Sequence, residues 1–462
     1  MLKFFNTYSG QIEEFIPIET GKVGMYTCGP TVYDYIHIGN LRAYIFEDLL
    51  RRTLKFFGYK VTQVMNITDV DDKTIRDSNA KGMNLEEYTQ KYIDAFFEDI
   101  DKMRIERAEY YPRAIKHIPE MIDIVKKLIA KGCTYEKDGS IYFRISEFEN
   151  YGKLSKLNLE QTMTGLRVDL DEYDKDDVRD FALWKASKEG EPSWDADFGK
   201  GRPGWHIECS AMSMKYLGET FDIHTGGIDN MFPHHENEIA QSEMANGKKF
   251  VNYWLHNEHL MVDGKKMSKS LGNFYTLRDI LDKGYTPEAL RFLLISVHYR
   301  KQVNYTDTTM EKAENTIKRQ RDFYKRLRES KTSENQGEEL IDEINTTSEQ
   351  FKNELANDLN ISGALGNYFE LMKKINLKME KSALSQNEKG MALKFFDGVE
   401  KILDLDDKKK AILEADLKLL IKEREKARNN KDFAKADEIR DQLLVHGIVL
   451  EDTKDGTRWK YL

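Results

Sequence analysis

The stretch from Val23 to Thr68 constrains the fold more than any other. An extended run, VGMYTC, stops at the strand-breaking pair Gly29-Pro30, and after TVYDYIHIGN the chain continues as LRAYIFEDLLRRTLKFFG. There Leu41, Ile45 and Leu49 fall on one row and Phe46, Leu50 and Leu54 on another, so the spacing predicts an amphipathic helix ending at Gly58. The next run, KVTQVMNIT, is β-branched and apolar enough for a buried strand. Strand, helix and strand in that order call for parallel pairing through a right-handed crossover, the opening of a nucleotide-binding sheet.

A second half of such a sheet comes much later. TFDIHT reads as a strand, GGID as a turn, FPHHENEIAQSEMANG as a helix and FVNYWLH as another strand. The long intervening segment holds GCTYEKDGSIYFRI, whose turn signal suggests a hairpin, so an inserted subdomain splits the sheet. Beyond it, TPEALRFLLISVHYR opens with Thr286 as N-cap and Pro287 as first helical residue, and helical patterns run to about residue 405. SKTSENQGEE, residues 330–339, reads as a flexible turn between helices. The last section predicts two short charged helices broken at Asn429-Asn430 and a hairpin around Asp455-Gly456. The expected fold is therefore α/β, a Rossmann-like parallel-sheet domain split by an insertion, followed by a helical bundle and a small C-terminal domain.

With 462 residues the chain exceeds one ordinary core, and 40% hydrophobic with 33% charged residues is a globular composition. No apolar run is long enough to span a bilayer, and MLKFFNTYSG lacks the features of a secretory signal, so a cytoplasmic protein without a membrane partner is expected. The net charge of −9 argues against indiscriminate nucleic-acid binding while permitting a local basic face. Three cysteines, Cys28, Cys133 and Cys209, occur without any C-x-x-C, which excludes a disulfide framework or zinc ribbon.

Three short motifs carry chemistry. HIGN places His37 and Asn40 where a strand gives way to a helix, near free N–H groups and the positive end of the helix dipole, a natural phosphate site. KKMSKSLGN, residues 265–273, sets Lys265, Lys266 and Lys269 with two serines on a glycine-flanked loop. Together they suggest two clamps on one triphosphate. FPHHENE, residues 232–238, puts His234 and Glu238 four positions apart on one helical face, where they can share a metal ion. The same seven residues also fit a capped helix start with Pro233 at the first helical position.

The lysine loop and the HIGN stretch resemble the two signatures of the class I aminoacyl-tRNA synthetases, KMSKS and HIGH. Here Lys266-Met267-Ser268-Lys269-Ser270 is intact, while Asn40 stands where the other motif ends in histidine; asparagine can donate a hydrogen bond to phosphate but carries no charge. MYTCGPTVYDYIHIGN, MNITDVDDK, RPGWHIECSAMS and FPHHENEIAQS are similar to the cysteinyl-tRNA synthetases, and the likeness runs to the C-terminal hairpin.

That resemblance implies an ATP-dependent ligase that activates L-cysteine as cysteinyl-adenylate and passes it to tRNA(Cys). It implies one Zn2+ held by Cys28, Cys209, His234 and Glu238, the last either directly or through water, and Mg2+ accompanying ATP. Gly29, Thr68, Trp205, His224 and Asp229 are the implied cysteine pocket, with Asp229 serving the ammonium group or the ribose. Pro30, His37, Gly39, Asn40, Asp229, Lys266, Ser268 and Lys269 are the implied ATP site, of which His37, Asn40, Lys266 and Lys269 are catalytic. Arg424, Arg428 and Trp459 are the implied tRNA contacts, joined by Lys422, Lys426 and the run Lys408 to Lys410. The implied division is a catalytic domain in halves 1–125 and 200–256 around a connective insertion 126–199. A stem-contact region 257–310, a bundle 311–405 and an anticodon-binding domain 406–462 follow, in a monomer.

The donor set makes chemical sense by itself, because thiolates, imidazole and carboxylate are zinc ligands and zinc prefers sulfur over a neutral hydroxyl. A cysteine ligase acting on an amino-sugar, as in mycothiol biosynthesis, is the nearest alternative. A noncatalytic tRNA-binding paralogue and a zinc hydrolase are more distant, the latter lacking His-Glu-x-x-His.

Overall fold

The computed structural model describes residues 1–156, 179–268, 271–333, 340–406, 419–428, 430, 432–445, 448–453 and 456–461. The chain forms two compact units, Met1–Leu403 and Asp404–Leu462.

At the centre of the first unit lies a four-stranded, all-parallel sheet in the order Val251–Asn257, Phe221–Gly227, Lys22–Thr27, Lys60–Met65. Tyr26 stands opposite His224 and Thr27 opposite Thr225, so the two halves separated in sequence meet in the middle of the sheet. Their carboxyl ends deliver Cys28 and Gly226-Gly227 to the same edge, where ligands bind in open α/β sheets.

The crossover helix spans Ile38–Phe56, and both predicted apolar rows are buried. Its end is a Schellman turn: Tyr59 N–H donates to Leu54 C=O and Gly58 N–H to Lys55 C=O, with Gly58 at φ +91°. The helix differs from a simple amphipathic one. Arg42, Glu47, Asp48, Arg51 and Arg52 are buried as well: later helices of the unit cover Arg42, Asp48 and Arg52, Glu47 accepts from Thr225 of the sheet, and Arg51 bonds Gln63, Glu106 and Glu109. Arg42 donates to the carbonyls of Leu294, Val297 and His298, while Asp48 accepts from Arg52 at 2.8 Å and Arg291 at 2.5 Å. Losing one partner of such a buried pair typically costs about 3–5 kcal/mol.

Between the sheet halves lie helices Asp72–Ala80, Leu85–Lys102 and Ile118–Ala130 and an antiparallel sheet built from Thr134–Lys137, Ser140–Phe143, Phe181–Ala186 and Gly201–Pro203. Its first two strands are the hairpin read from GCTYEKDGSIYFRI, turned at Asp138-Gly139, both at positive φ. Lys185 and Arg202, both buried, bond Asp72 at the start of the first of these helices and fasten this sheet to the core.

A short hairpin, Leu260–Val262 and Lys265–Lys266, turns at Asp263-Gly264 and pairs with Val303–Tyr305. Thr286 caps helix Pro287–Ile295 as the sequence predicts, and helices Asp307–Glu329, Ile341–Ala356, Ile361–Lys381 and Gln386–Leu403 follow. The expectation of a turn over 330–339 needs correction at its start, where Thr332–Ser333 pairs in parallel with Leu384–Ser385; residues 334–339 lie outside the described residues.

The second unit holds a helix over 419–428, helix Phe433–Val445 and a hairpin of Ile448–Thr453 with Gly456–Tyr461. Its small core is Ile421, Ile439, Leu443 and Leu450. Asn429 and Asp455 are outside the described residues, as is the run 408–410. No helix among the described residues is long and apolar enough to cross a membrane.

Candidate active site

Four separate segments meet at the carboxyl edge of the sheet. Cys28 leaves the end of strand Lys22–Thr27, and Gly29 follows in a spot where a Cβ would stand only 1.8 Å from the Asn66 carbonyl oxygen. Glycine is therefore a steric requirement for the approach of the two backbones, which Gly29 N–H reinforces by donating to Asn66 Oδ1 at 2.9 Å. Cys209 sits on the second turn of helix Trp205–Leu217. His234 and His235 belong to a π-helical turn, Met231–His235, that runs into helix Glu236–Asn246 and places Glu238 one turn on. Pro233 lies inside that wide turn rather than at a first α-helical position.

Cys28, His234, His235 and Glu238 present donor atoms that all lie within 4.8 Å of one another. Cys209 hydrogen-bonds both Cys28 and His234, so it reaches the same group. Three of the four expected ligands, Cys28, His234 and Glu238, fall in this group together with His235, whose Nε2 is 3.3 Å from Cys28 Sγ, and Cys209 lies beside it, next to Cys28 and His234. Glu238 Oε1 is buried, with His234 Nε2 3.0 Å away. A buried carboxylate oxygen and imidazole nitrogen this close, in one group with Cys28, suit co-ligands of a cation. Two sulfurs, an imidazole nitrogen and a carboxylate oxygen fit zinc, and these residues pass that test.

The electrostatics favour deprotonated sulfur at one position. The hydrogen bond from Cys28 and the proximity of His234 lower the Cys209 thiol to about 6, while the same hydrogen bond and burial push Cys28 well up. Burial opposes the charged forms of His234 and Glu238. Even so, Glu238 and Cys209 raise His234 to about 10, and His224 and His234 hold Glu238 at about 2.

Around this group lies a second layer that the motifs do not announce. His224 Nε2 is 3.0 Å from Glu238 Oε2, His206 Nδ1 is 2.9 Å from His234 Nδ1, and His235 Nδ1 is 2.8 Å from His256 Nε2. His256 in turn reaches Thr7 Oγ1 at 2.9 Å. Burial, then neighbouring imidazoles, drive His235 well down and His256 to about 3, so both are neutral. Partners of this kind fix ring orientation at a metal centre. His224 belongs to this layer: it is fully buried behind Glu238, stacked on Trp254, and lines no part of the cleft, which corrects its expected place in the amino-acid pocket.

The cleft above has two connected parts. One is lined by Cys28, Gly29, Pro30, Thr68, Trp205 and Cys209, with Trp205 stacked on His234 at 4.2 Å and 39% exposed. The other is lined by Gly39, Asp229, Asn257, Glu258, Lys266 and Ser268, and His37, Asn40 and Phe274 border both. His37 is the N-cap of helix Ile38–Phe56. Its Nδ1 accepts Asn40 N–H at 3.1 Å, and Asn40 Oδ1 accepts His37 N–H at 3.1 Å, a reciprocal capping box. With Nδ1 accepting, the proton of a neutral His37 sits on Nε2, a donor group. Asn40 keeps Nδ2 as its donor. Lys269 and Ser270 lie outside the described residues.

In the second unit, Lys422, Lys426 and Arg428 are exposed on the 419–428 helix, but Arg424 is buried at 4% exposure. Arg424 is thereby withdrawn from the solvent-facing contacts expected of it. It shares the inner face of the helix with Ile421 and Ala427, at the three-residue spacing that puts side chains on one side. Trp459 stands opposite Leu450 in the hairpin.

Comparison with known proteins agrees with this geometry. A family model for the class I (C) tRNA synthetase catalytic domain matches residues 14–315, and one for the cysteinyl-tRNA ligase anticodon binding domain matches residues 412–459. A cysteine-tRNA ligase of Brachyspira hyodysenteriae is 52% identical over 99% of this chain and 98% of its own length, and one of Solibacter usitatus is 50% identical over 99% of each. The chain belongs to the cysteine-tRNA ligase family. The fold alone extends further: a methionyl-tRNA synthetase of Mycobacterium tuberculosis bound to methionyl-adenylate superposes with a TM-score of 0.60 at 13% identity, covering 83% of this chain and 90% of that one. A LeuRS-tRNA-LeuAMS complex from Agrobacterium radiobacter gives 0.63 at 11% identity, covering 85% of each. The family's two parts, catalytic and anticodon-binding, are both represented in this chain, unlike a ligase with a catalytic core alone.

Proposed function

We propose that this protein joins L-cysteine to tRNA(Cys) at the expense of ATP, in two steps within one cleft. The cysteine carboxylate attacks the α-phosphorus of ATP, forming cysteinyl-adenylate as the bond to pyrophosphate breaks. A hydroxyl of the terminal tRNA ribose then attacks the acyl carbon, gives up its proton and expels AMP.

The observation that carries this reading is the meeting of Cys28, Cys209, His234 and Glu238 at the floor of a cleft whose other part holds His37 and Lys266. Zinc bound by those four residues would supply a direct bond to the substrate sulfur. Every other task falls to protein groups. Asp229 and Thr68 receive the ammonium end, and Trp205 covers the small side chain. His37 Nε2–H and the Gly39 N–H at its helix start hold the phosphates. Lys266 and Lys269 neutralise charge on the departing pyrophosphate, with magnesium as counter-ion, so positioning and electrostatics suffice without a protein nucleophile.

Because a site built around a directional contact rejects an analogue lacking it by roughly 10⁴ to 10⁵, discrimination against serine needs no editing step. The 404–462 unit reads the tRNA through Lys422, Lys426 and Arg428, with Trp459 stacking on an unpaired base. The protein acts as a cytoplasmic monomer. Pyrophosphate exchange with each amino acid in turn, followed by aminoacylation of tRNA, tests the proposal: exchange with cysteine alone is expected, and exchange with serine at a comparable rate would refute it.

A further inference from the structure

The lysine loop and the HIGN stretch are far apart in sequence, yet the four residues that close the loop and follow it, Asn273-Phe274-Tyr275-Thr276, touch both. Asn273 Oδ1 accepts Ser268 N–H at 2.8 Å, and its Nδ2 donates to Lys266 C=O at 3.3 Å. One amide thus grips the loop at two backbone positions on either side of Met267. The next residue, Phe274, sets its ring edge-on to His37 with centroids 5.0 Å apart and borders both parts of the cleft. Tyr275 C=O then accepts Ile38 N–H at 2.9 Å, occupying a donor that a helix start leaves without an intrahelical partner. His37 and Thr276 pair as an isolated antiparallel bridge, and Thr276 caps the following helix, Leu277–Asp282. A second contact closes the circuit, since a Cβ on Gly39 would lie 3.1 Å from Met267 Cε.

We propose that Asn273 is a positioning residue that sets the lysine loop against the phosphate-binding helix start, with Phe274 relaying that placement to His37. The inference rests on the adenylating reading of the cleft and adds a residue to it. Its logic is geometric. Lys266 precedes Met267 on a two-residue strand at the mouth of the cleft and is itself exposed, so its own packing does not fix it. The side chain that does hold its carbonyl comes from the segment anchored to His37. Substrate phosphates bound by His37 therefore meet a lysine whose backbone is referenced to the same helix, the pre-ordering that charge stabilisation of a leaving group requires.

The test is pyrophosphate exchange by the full-length, metal-loaded protein, with kcat and KM for ATP and for cysteine determined separately in N273A, N273D and F274L. Loss of both hydrogen bonds in N273A is expected to lower kcat/KM for ATP by about tenfold to a hundredfold. KM for cysteine, bound zinc and the melting temperature stay at wild-type levels. N273D keeps an acceptor for Ser268 N–H and lies between N273A and wild type, as does F274L. The inference is overturned if N273A keeps kcat/KM for ATP within about twofold of wild type, or if ATP and cysteine parameters fall together with no recovery in N273D. A wild-type protein that exchanges no pyrophosphate with cysteine overturns the underlying reading instead, and this one with it.

Discussion

At the sulfur end of the cleft, Cys209, His234 and Glu238 are 1%, 2% and 0% exposed and stand on helical segments, with His206, His224, His235 and His256 around them. At the phosphate end, Lys266 is exposed on a two-residue strand and His37 caps a helix start that borders the cleft. The contrast teaches what each end must do. On the proposed reading, choosing sulfur over oxygen needs donors that cannot rearrange around a wrong ligand, and Cys209, His234 and Glu238 are buried, the last two held from behind by His206 and His224. On the same reading, neutralising a leaving group needs a cation that the phosphates can reach from solvent, and Lys266 offers an exposed side chain on a backbone held by Asn273.

Substitutions at the two ends should therefore fail in different ways. The largest effect is expected for Cys209→Ser, which removes the sulfur poised as thiolate: bound zinc is lost, and exchange with cysteine falls by at least about 10³-fold. Metal analysis beside the exchange assay separates this from a folding defect, and near-normal exchange without metal would contradict it. Lys269→Ala, or Lys266→Ala, is expected to lower exchange by about 10²-fold while leaving cysteine affinity and metal content alone. Equal damage to cysteine binding, measured by calorimetry, would erase the distinction between the two ends.

Removing residues 404–462 probes a region beyond both. Aminoacylation should fall by about tenfold or more through weaker tRNA binding, while tRNA-independent exchange is unchanged. The smallest effect is expected for Asn40→His. Asn40 serves the phosphate end through its capping box with His37, a role an imidazole can fill from the same helix position, so exchange should stay within about threefold. A much larger change in either direction would show that Asn40 does more than cap and donate.

Much of the sulfur end was legible in the sequence because it is written in local motifs. A strand that stops at Cys28 and Gly29 must leave both at the sheet edge, and the four-residue spacing of His234 and Glu238 survives whatever surrounds it. The supporting role of the imidazoles was not legible: His206 and His235 lie inside the quoted motifs and His224 was expected in the amino-acid pocket, but nothing local marks the partners they find. His256 is simply the sixth residue of a buried strand, and its partner Thr7 is 249 positions away. The crossover helix misled for a related reason. Its apolar rows were read correctly, but the polar face that periodicity assigns to water is covered by helices more than 200 residues downstream, where Arg42 and Asp48 find their partners. Arg424 shows the same limit in the small unit, where a charged residue occupies an inner position beside Ile421 and Ala427.

The central claim is that substrate sulfur joins a zinc centre made by Cys28, Cys209, His234 and Glu238. Zinc-edge X-ray absorption of the metal-loaded protein, recorded alone, with L-cysteine and with L-serine, tests it most directly. Two sulfur neighbours are expected in the free protein, three with cysteine and two with serine. A sulfur count that does not change on adding saturating cysteine would contradict the account.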